Sequence, residues 1–207
     1  MKNPCDPQLV YAIDDSLYLN ISNRCTLECT FCPKTQGSHQ VHDYDLSITK
    51  QPSSDEIISQ IELLDDKLID YKEVVFCGFG EPTLRLQQLK AVASYLKSKN
   101  IKVRLNTDGL ANLVHKRNIL LELKPLIDSI SISLNSDDER SYIKHCQPQL
   151  KHAYKAVLEF IRLAPNYIND VRVTAINGLE QVNIHNCQQI AYSAGANFLA
   201  RELDVIG

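Results

Sequence analysis

The 207-residue chain has no apolar run near the ~20 residues that a membrane-crossing helix requires. Its first residues, Met1 to Asp15, lack the basic stretch and apolar centre of a secretory leader, so the cytoplasm is the expected location. There is no polybasic segment, and the net charge is −3. That argues against a nucleic-acid partner gripped through its phosphates. No short repeat and no break in composition divides the chain, and a single domain over residues 1–207 is expected. The cysteine count is seven, and an odd number excludes a fully paired disulfide framework within one chain. Hydrophobic residues make up 44% and charged residues 23%. This ordinary balance excludes a disordered chain and allows a core without staples.

What is present alternates. Ser16 to Ser22 reads as a strand. Ser53 to Glu56 matches a capping box, opening a helix with Ile57, Ile58, Ile61, Leu64 and Leu68 on one face. Strands are predicted at Glu73 to Gly80, Lys102 to Thr107, Ser129 to Asn135, Asp170 to Ile176 and Asn197 to Leu203. Between them lie helical patterns near Leu86 to Asn100, Asn118 to Leu126, Leu150 to Ala164 and Ile184 to Ala194. About six β-α units imply a parallel sheet with helical cover. Periodicity alone leaves a doubly wound sheet and a partial barrel both open. Either fold puts functional residues at the C-terminal ends of the strands. The polar stretch from Pro33 to Pro52 reads as a long loop able to cover a site or meet a partner.

Cys25, Cys29 and Cys32 fall on one loop directly after the first strand. Three thiolates can hold three irons of a cubane cluster and leave the fourth open to a small molecule. The same loop with His39 or His42 could instead form a Cys3His zinc site in a binding module. An electron-transfer iron–sulfur protein is a third reading, with Cys77 or Cys146 as the fourth ligand. Cys77 is expected as a small apolar residue inside a buried strand, and Cys187 as core on a helix face. Cys146 is placed near a cavity mouth, as a candidate hydrogen-atom donor or substrate contact. Cys5 lies in a terminal segment.

Gly78-Phe-Gly80-Glu81-Pro82 ends the second strand, Asn106-Thr-Asp-Gly109 the third, and Ser133-Leu-Asn135 the fourth. Turn and cap chemistry favours such residues by itself, and for Asp108 that reading is preferred.

The cysteine loop, with Phe31 before its last cysteine, resembles the signature of the radical S-adenosylmethionine (SAM) superfamily. Gly78 to Pro82 resembles that superfamily's Gly-Gly-Glu-Pro motif, with Phe79 in place of a glycine. The resemblance implies an α/β fold of partial (β/α)6 TIM-type barrel form. It implies a [4Fe-4S] cluster on Cys25, Cys29 and Cys32, with S-adenosyl-L-methionine on the open iron. Reductive cleavage then yields a 5′-deoxyadenosyl radical that takes hydrogen from a substrate. By the same resemblance Gly80 and Glu81 receive SAM's ammonium, Ser133, Asn135 and Asn106 meet its carboxylate and ribose, and Phe31 lies near the adenine. No residue acting on substrate is identified. The chain stops after six predicted strands, without the cysteine-rich extension of the subgroup that carries auxiliary clusters. Asp15 to Asn20, Phe76 to Arg85, Arg104 to Thr107 and Ser129 to Asn135 look like TatD-associated radical SAM proteins. That suggests a functional link to a TatD-like hydrolase. The implied partners are a flavodoxin or ferredoxin as electron donor and a peptide, protein or small-metabolite substrate.

Overall fold

The computed structural model describes residues 7–203; Cys5 lies outside them. In chain order the elements are β1 (Val10–Ile13), β2 (Ser16–Leu19), β3 (Gln40–Val41), β4 (Tyr44–Asp45), α1 (Ser54–Glu62), β5 (Glu73–Phe76), α2 (Leu86–Ser98) and β6 (Val103–Thr107). There follow α3 (Ala111–His115), α4 (Leu120–Leu123), β7 (Ser129–Ser133), α5 (Glu139–Cys146), α6 (Ala153–Leu163), β8 (Asp170–Asn177), α7 (Ile184–Ser193) and β9 (Asn197–Glu202).

Seven strands form one sheet in the order β1-β2-β5-β6-β7-β8-β9. From β2 to β9 every neighbour is parallel. The order follows the chain without reversal. A doubly wound sheet must reverse at a switch point, so the arrangement is a partial (β/α)6 barrel. Among the described residues β1 and β9 remain its unjoined edges.

β1 is a seventh strand that the alternation did not predict. It pairs antiparallel with β2 across Asp14-Asp15, and Asp14 takes a left-handed φ of 50° to close the two-residue turn. Asp-Asp lacks the glycine that normally announces such a hairpin.

Strand alternation separates two faces. Leu17 and Leu19, Val74 and Phe76, Val103 and Leu105, Ile130 and Ile132, and Val171 and Val173 join the main core under the helices. The intervening residues, including Tyr18, Glu73, Arg104, Ser129, Ser131 and Arg172, share a cavity on the other face. This is the polar interior of the barrel. Arg104 pairs with Glu73 there at 3.2 Å.

Ser53 and Glu56 form the expected capping box on α1. That helix ends at Glu62, and Leu68 is buried from a following 3-10 turn, Asp65–Asp70. The helix expected over Asn118 to Leu126 is shorter, and α3 precedes it. The Pro33 to Pro52 loop carries the β3–β4 hairpin and is pinned to the barrel. Asn20 Nδ2 donates to Leu46 O at 2.9 Å and Asn23 Nδ2 to Ile48 O at 2.6 Å. Val41 and Leu46 pack with Tyr11 and Phe79 in a small second core.

Candidate active site

The cysteine loop leaves the C-terminal end of β2 and is held from three directions. Thr26 Oγ1 donates to Asp108 Oδ2 at 2.5 Å, tying it to the end of β6. Glu81 N donates to Arg24 O at 2.7 Å, tying it to the end of β5. Glu28 N and Thr30 N donate to Cys146 O and His145 O at 3.1 and 2.9 Å. These last bonds come from the end of α5, a helix absent from the predicted elements. His145 is itself held through Nε2 to Glu180 O at 2.7 Å.

Gly80 explains the tight join. A side chain there would strike the Ser22 carbonyl and lie 2.8 Å from Arg24 O, so only glycine lets the two loops meet. The close approach expected for a ligand is thus also an approach between two segments of this chain. Glu81 is buried at 3% exposure. Its carboxylate accepts from Thr83 N (3.0 Å), Thr83 Oγ1 (2.6 Å), Thr107 Oγ1 (2.8 Å) and Asp108 N (2.7 Å). Asp108 makes the expected turn bond, accepting from Leu110 N at 2.9 Å. Burial, then the nearby Asp108 carboxylate, pushes the Glu81 carboxyl up to about 8. Burial raises Asp108 as well. Neither acid has a basic partner among the described residues.

Cys25, Cys29 and Cys32 are all half-buried. Burial, with the charges of Asp108 and Glu81, pushes the Cys25 thiol up. For Cys29 the leading cause is a hydrogen bond with the Cys146 side chain, followed by burial. Metal ligation needs thiolates, and here the cost of making them falls on whatever cation arrives.

The other predicted residues are distributed around this loop. Asn106 faces the barrel interior, and its Oδ1 is buried without a hydrogen-bond partner. Ser133 ends β7, half-buried. Asn135 is buried with a left-handed φ of 59°, and its Nδ2 donates to Cys146 Sγ at 3.9 Å. Phe31 packs on the core edge and lines a cavity of about 360 Å³ with Thr30, His145, Gly178 and Leu203.

Two cysteines are not where the sequence put them. Cys77 follows β5 and is half-buried in the barrel interior, near Asn106, Arg201 and Arg104, so it is not an apolar core residue. Cys77 continues the face of Glu73 and Val75, opposite to that of Val74 and Phe76, and so falls on the polar side. Cys146 is fully buried at the end of α5 and sits at no cavity mouth. Cys187 is core, as expected.

The donor set fits a cubane: three cysteine thiols on one loop, each able to reach a different iron. His39 packs its ring edge against Phe79 at 6.1 Å, and His42 is exposed in the β3–β4 turn. The Tyr142 hydroxyl, buried and without a partner, lies in the field of Cys146, Asp108, Cys29 and Cys25.

No helix among the described residues is long and apolar enough to cross a membrane. A cofactor-modifying protein for tungsten-containing aldehyde ferredoxin oxidoreductase from Pyrococcus furiosus is 28% identical over 95 residues, 45% of this chain and 23% of that one. SuiB from Streptococcus suis, solved with its precursor peptide SuiA, superposes with a TM-score of 0.70 at 14% identity, over 94% of this chain and 40% of that one. A radical SAM methyltransferase from Sphaerobacter thermophilus superposes with a TM-score of 0.62 at 12% identity, over 95% and 69%. The chain spans about a quarter of the curated relative's length. The radical SAM superfamily model matches residues 19–191. With three thiols on a loop at the barrel's C-terminal end and a matching family model over most of its length, the chain belongs to the radical SAM superfamily, whose members use a [4Fe-4S] cluster and SAM.

Proposed function

We propose that the protein cleaves SAM reductively and removes a hydrogen atom from a substrate not yet identified. The carrying observation is the cysteine loop itself, three half-buried thiols braced by the ends of β5, β6 and α5. When bound, the cluster and SAM supply a 5′-deoxyadenosyl radical. Cys25, Cys29 and Cys32 would hold the cluster and leave one iron without a protein ligand.

The remaining residues prepare a place for SAM. Glu81 and Asp108 are two buried acids lacking a cation, which SAM's ammonium supplies close to Gly80. Asn106, with an unpartnered Oδ1, and Ser133 present polar groups at neighbouring strand ends. They suit the carboxylate and ribose. Asn135 shares that end of the barrel, but its amide is already engaged with Cys146. The cavity beside Phe31 suits the adenine.

The substrate is a peptide, protein or small metabolite, entering the open side of the barrel. A flavodoxin or ferredoxin would supply the electron, and cytoplasmic placement fits that donor. The four segments resembling TatD-associated proteins support that subgroup and a link with a TatD-like hydrolase.

The test is reconstitution with iron and sulfide without oxygen, addition of dithionite and SAM, and chromatography for 5′-deoxyadenosine. The native protein should form it and Cys29→Ala should not. An intact cluster whose spectrum SAM leaves unchanged would overturn the proposal.

A further inference from the structure

α5 braces the cysteine loop through its last carbonyls, and its buried face carries two further polar groups. Its Tyr142 and Cys146 stand one helical turn apart and so share a face. Both are fully buried. Both approach the cysteine loop: Cys29 Sγ reaches the Cys146 carbonyl at 3.7 Å, and the Cys146 and Tyr142 side chains lie close enough to Cys29 to act on it electrostatically.

Each also carries a proton that can be donated. The sulfur of Cys146 accepts from Asn135 Nδ2, leaving its own S–H to point elsewhere. Tyr142 Oη has no partner. Asp108, the oxygen acceptor in its field, already accepts from Thr26 Oγ1 and Leu110 N. A buried O–H without a partner is destabilising. The other groups in its field are the sulfurs of Cys146, Cys29 and Cys25, and a thiolate bound to iron is a better acceptor than a free thiol.

We propose that the Tyr142 hydroxyl and the Cys146 thiol donate hydrogen bonds to the ligand sulfurs of the cysteine loop and thereby raise the reduction potential of the cluster held there. This rests on the cluster assignment above. Donors to sulfur favour the more negative, reduced state, which is one of the protein's means of setting a cluster's potential. Both are positioning residues that act through the cysteine ligands. Cys146 is a donor to Cys29 and is not a fourth ligand.

The experiment is a redox titration followed by electron paramagnetic resonance on reconstituted wild type, Tyr142→Phe, Cys146→Ala, Cys146→Ser and the Tyr142→Phe/Cys146→Ala double variant. Iron, sulfide and the SAM-induced spectral change are measured on each. All should keep wild-type iron and sulfide. Tyr142→Phe and Cys146→Ala should each shift to a more negative potential, and the double variant further still. Cys146→Ser, which keeps a donor, should stay nearer wild type. Full clusters with unshifted potentials in Tyr142→Phe and Cys146→Ala would overturn this inference alone. Loss of iron in both Cys146 variants would also overturn it, by making Cys146 a ligand. A wild-type protein with no cluster, or with one indifferent to SAM, would overturn the functional reading as well.

Discussion

At the scale of single residues, Gly80 and Glu81 do more than their motif suggests. Gly80→Ala would press a methyl against backbone carbonyls of Ser22 and Arg24, neither of which can swing aside. We expect a loss of about 1–3 kcal/mol and a lower iron content, read by denaturant unfolding and metal analysis. Glu81 makes a pH prediction. Its folded value of about 8 stands above the ordinary 4.5, so the folded state keeps a proton that the unfolded chain releases. Its contribution is fully present below the unfolded value and is lost as pH rises through the folded one. Melting temperature should therefore fall with rising pH across that window, and Glu81→Gln should flatten the slope. The cysteine loop and the Gly-Glu pair were legible because their chemistry depends on residue type and close spacing. The bond from Thr26 to Asp108 was not, since 82 residues separate the partners.

At the scale of elements, the parallel strands from β2 to β8 were readable because each buries an apolar face, while β9, mostly exposed, was marked by Phe198 and Leu199. α5 was not. Its eight residues, Glu139–Cys146, bury Ser141, Tyr142, His145 and Cys146, a mostly polar face with no aliphatic stripe. The signal available was Asp138, which caps the helix by accepting from Ser141 N at 3.0 Å and Ser141 Oγ at 2.7 Å. Asp138→Ala should cost about 1 kcal/mol. Because α5 holds the cysteine loop through its last carbonyls, the amides of Glu28 and Thr30 should then exchange hydrogen faster. Mass-spectrometric exchange over residues 25–32 would read this. Unchanged exchange would mean that the loop holds itself.

For the whole molecule, strand order decided what periodicity could not. Six parallel strands in chain order make a barrel wall, and β1 extends it by one antiparallel strand. The polar inner face follows from alternation alone, but which strands share it depends on register between distant segments. Cys77 shows how one position decides the face: it follows Glu73 and Val75 in the alternation, not Val74 and Phe76, and so lies in the interior and not in the expected core.

The bond between the cysteine loop and α5 also bears on how the protein is made. Cys29 and its contact at Cys146 stand 117 residues apart in the chain. A ribosome adds roughly 5–20 residues per second, so the three thiols emerge on the order of ten seconds before the helix that seats them. During that interval they hang on a nascent chain with only part of their cradle. Cluster delivery should follow α5's emergence, and ribosome-bound chains stalled before residue 145 leaves the exit tunnel should accept no stable cluster from a scaffold protein.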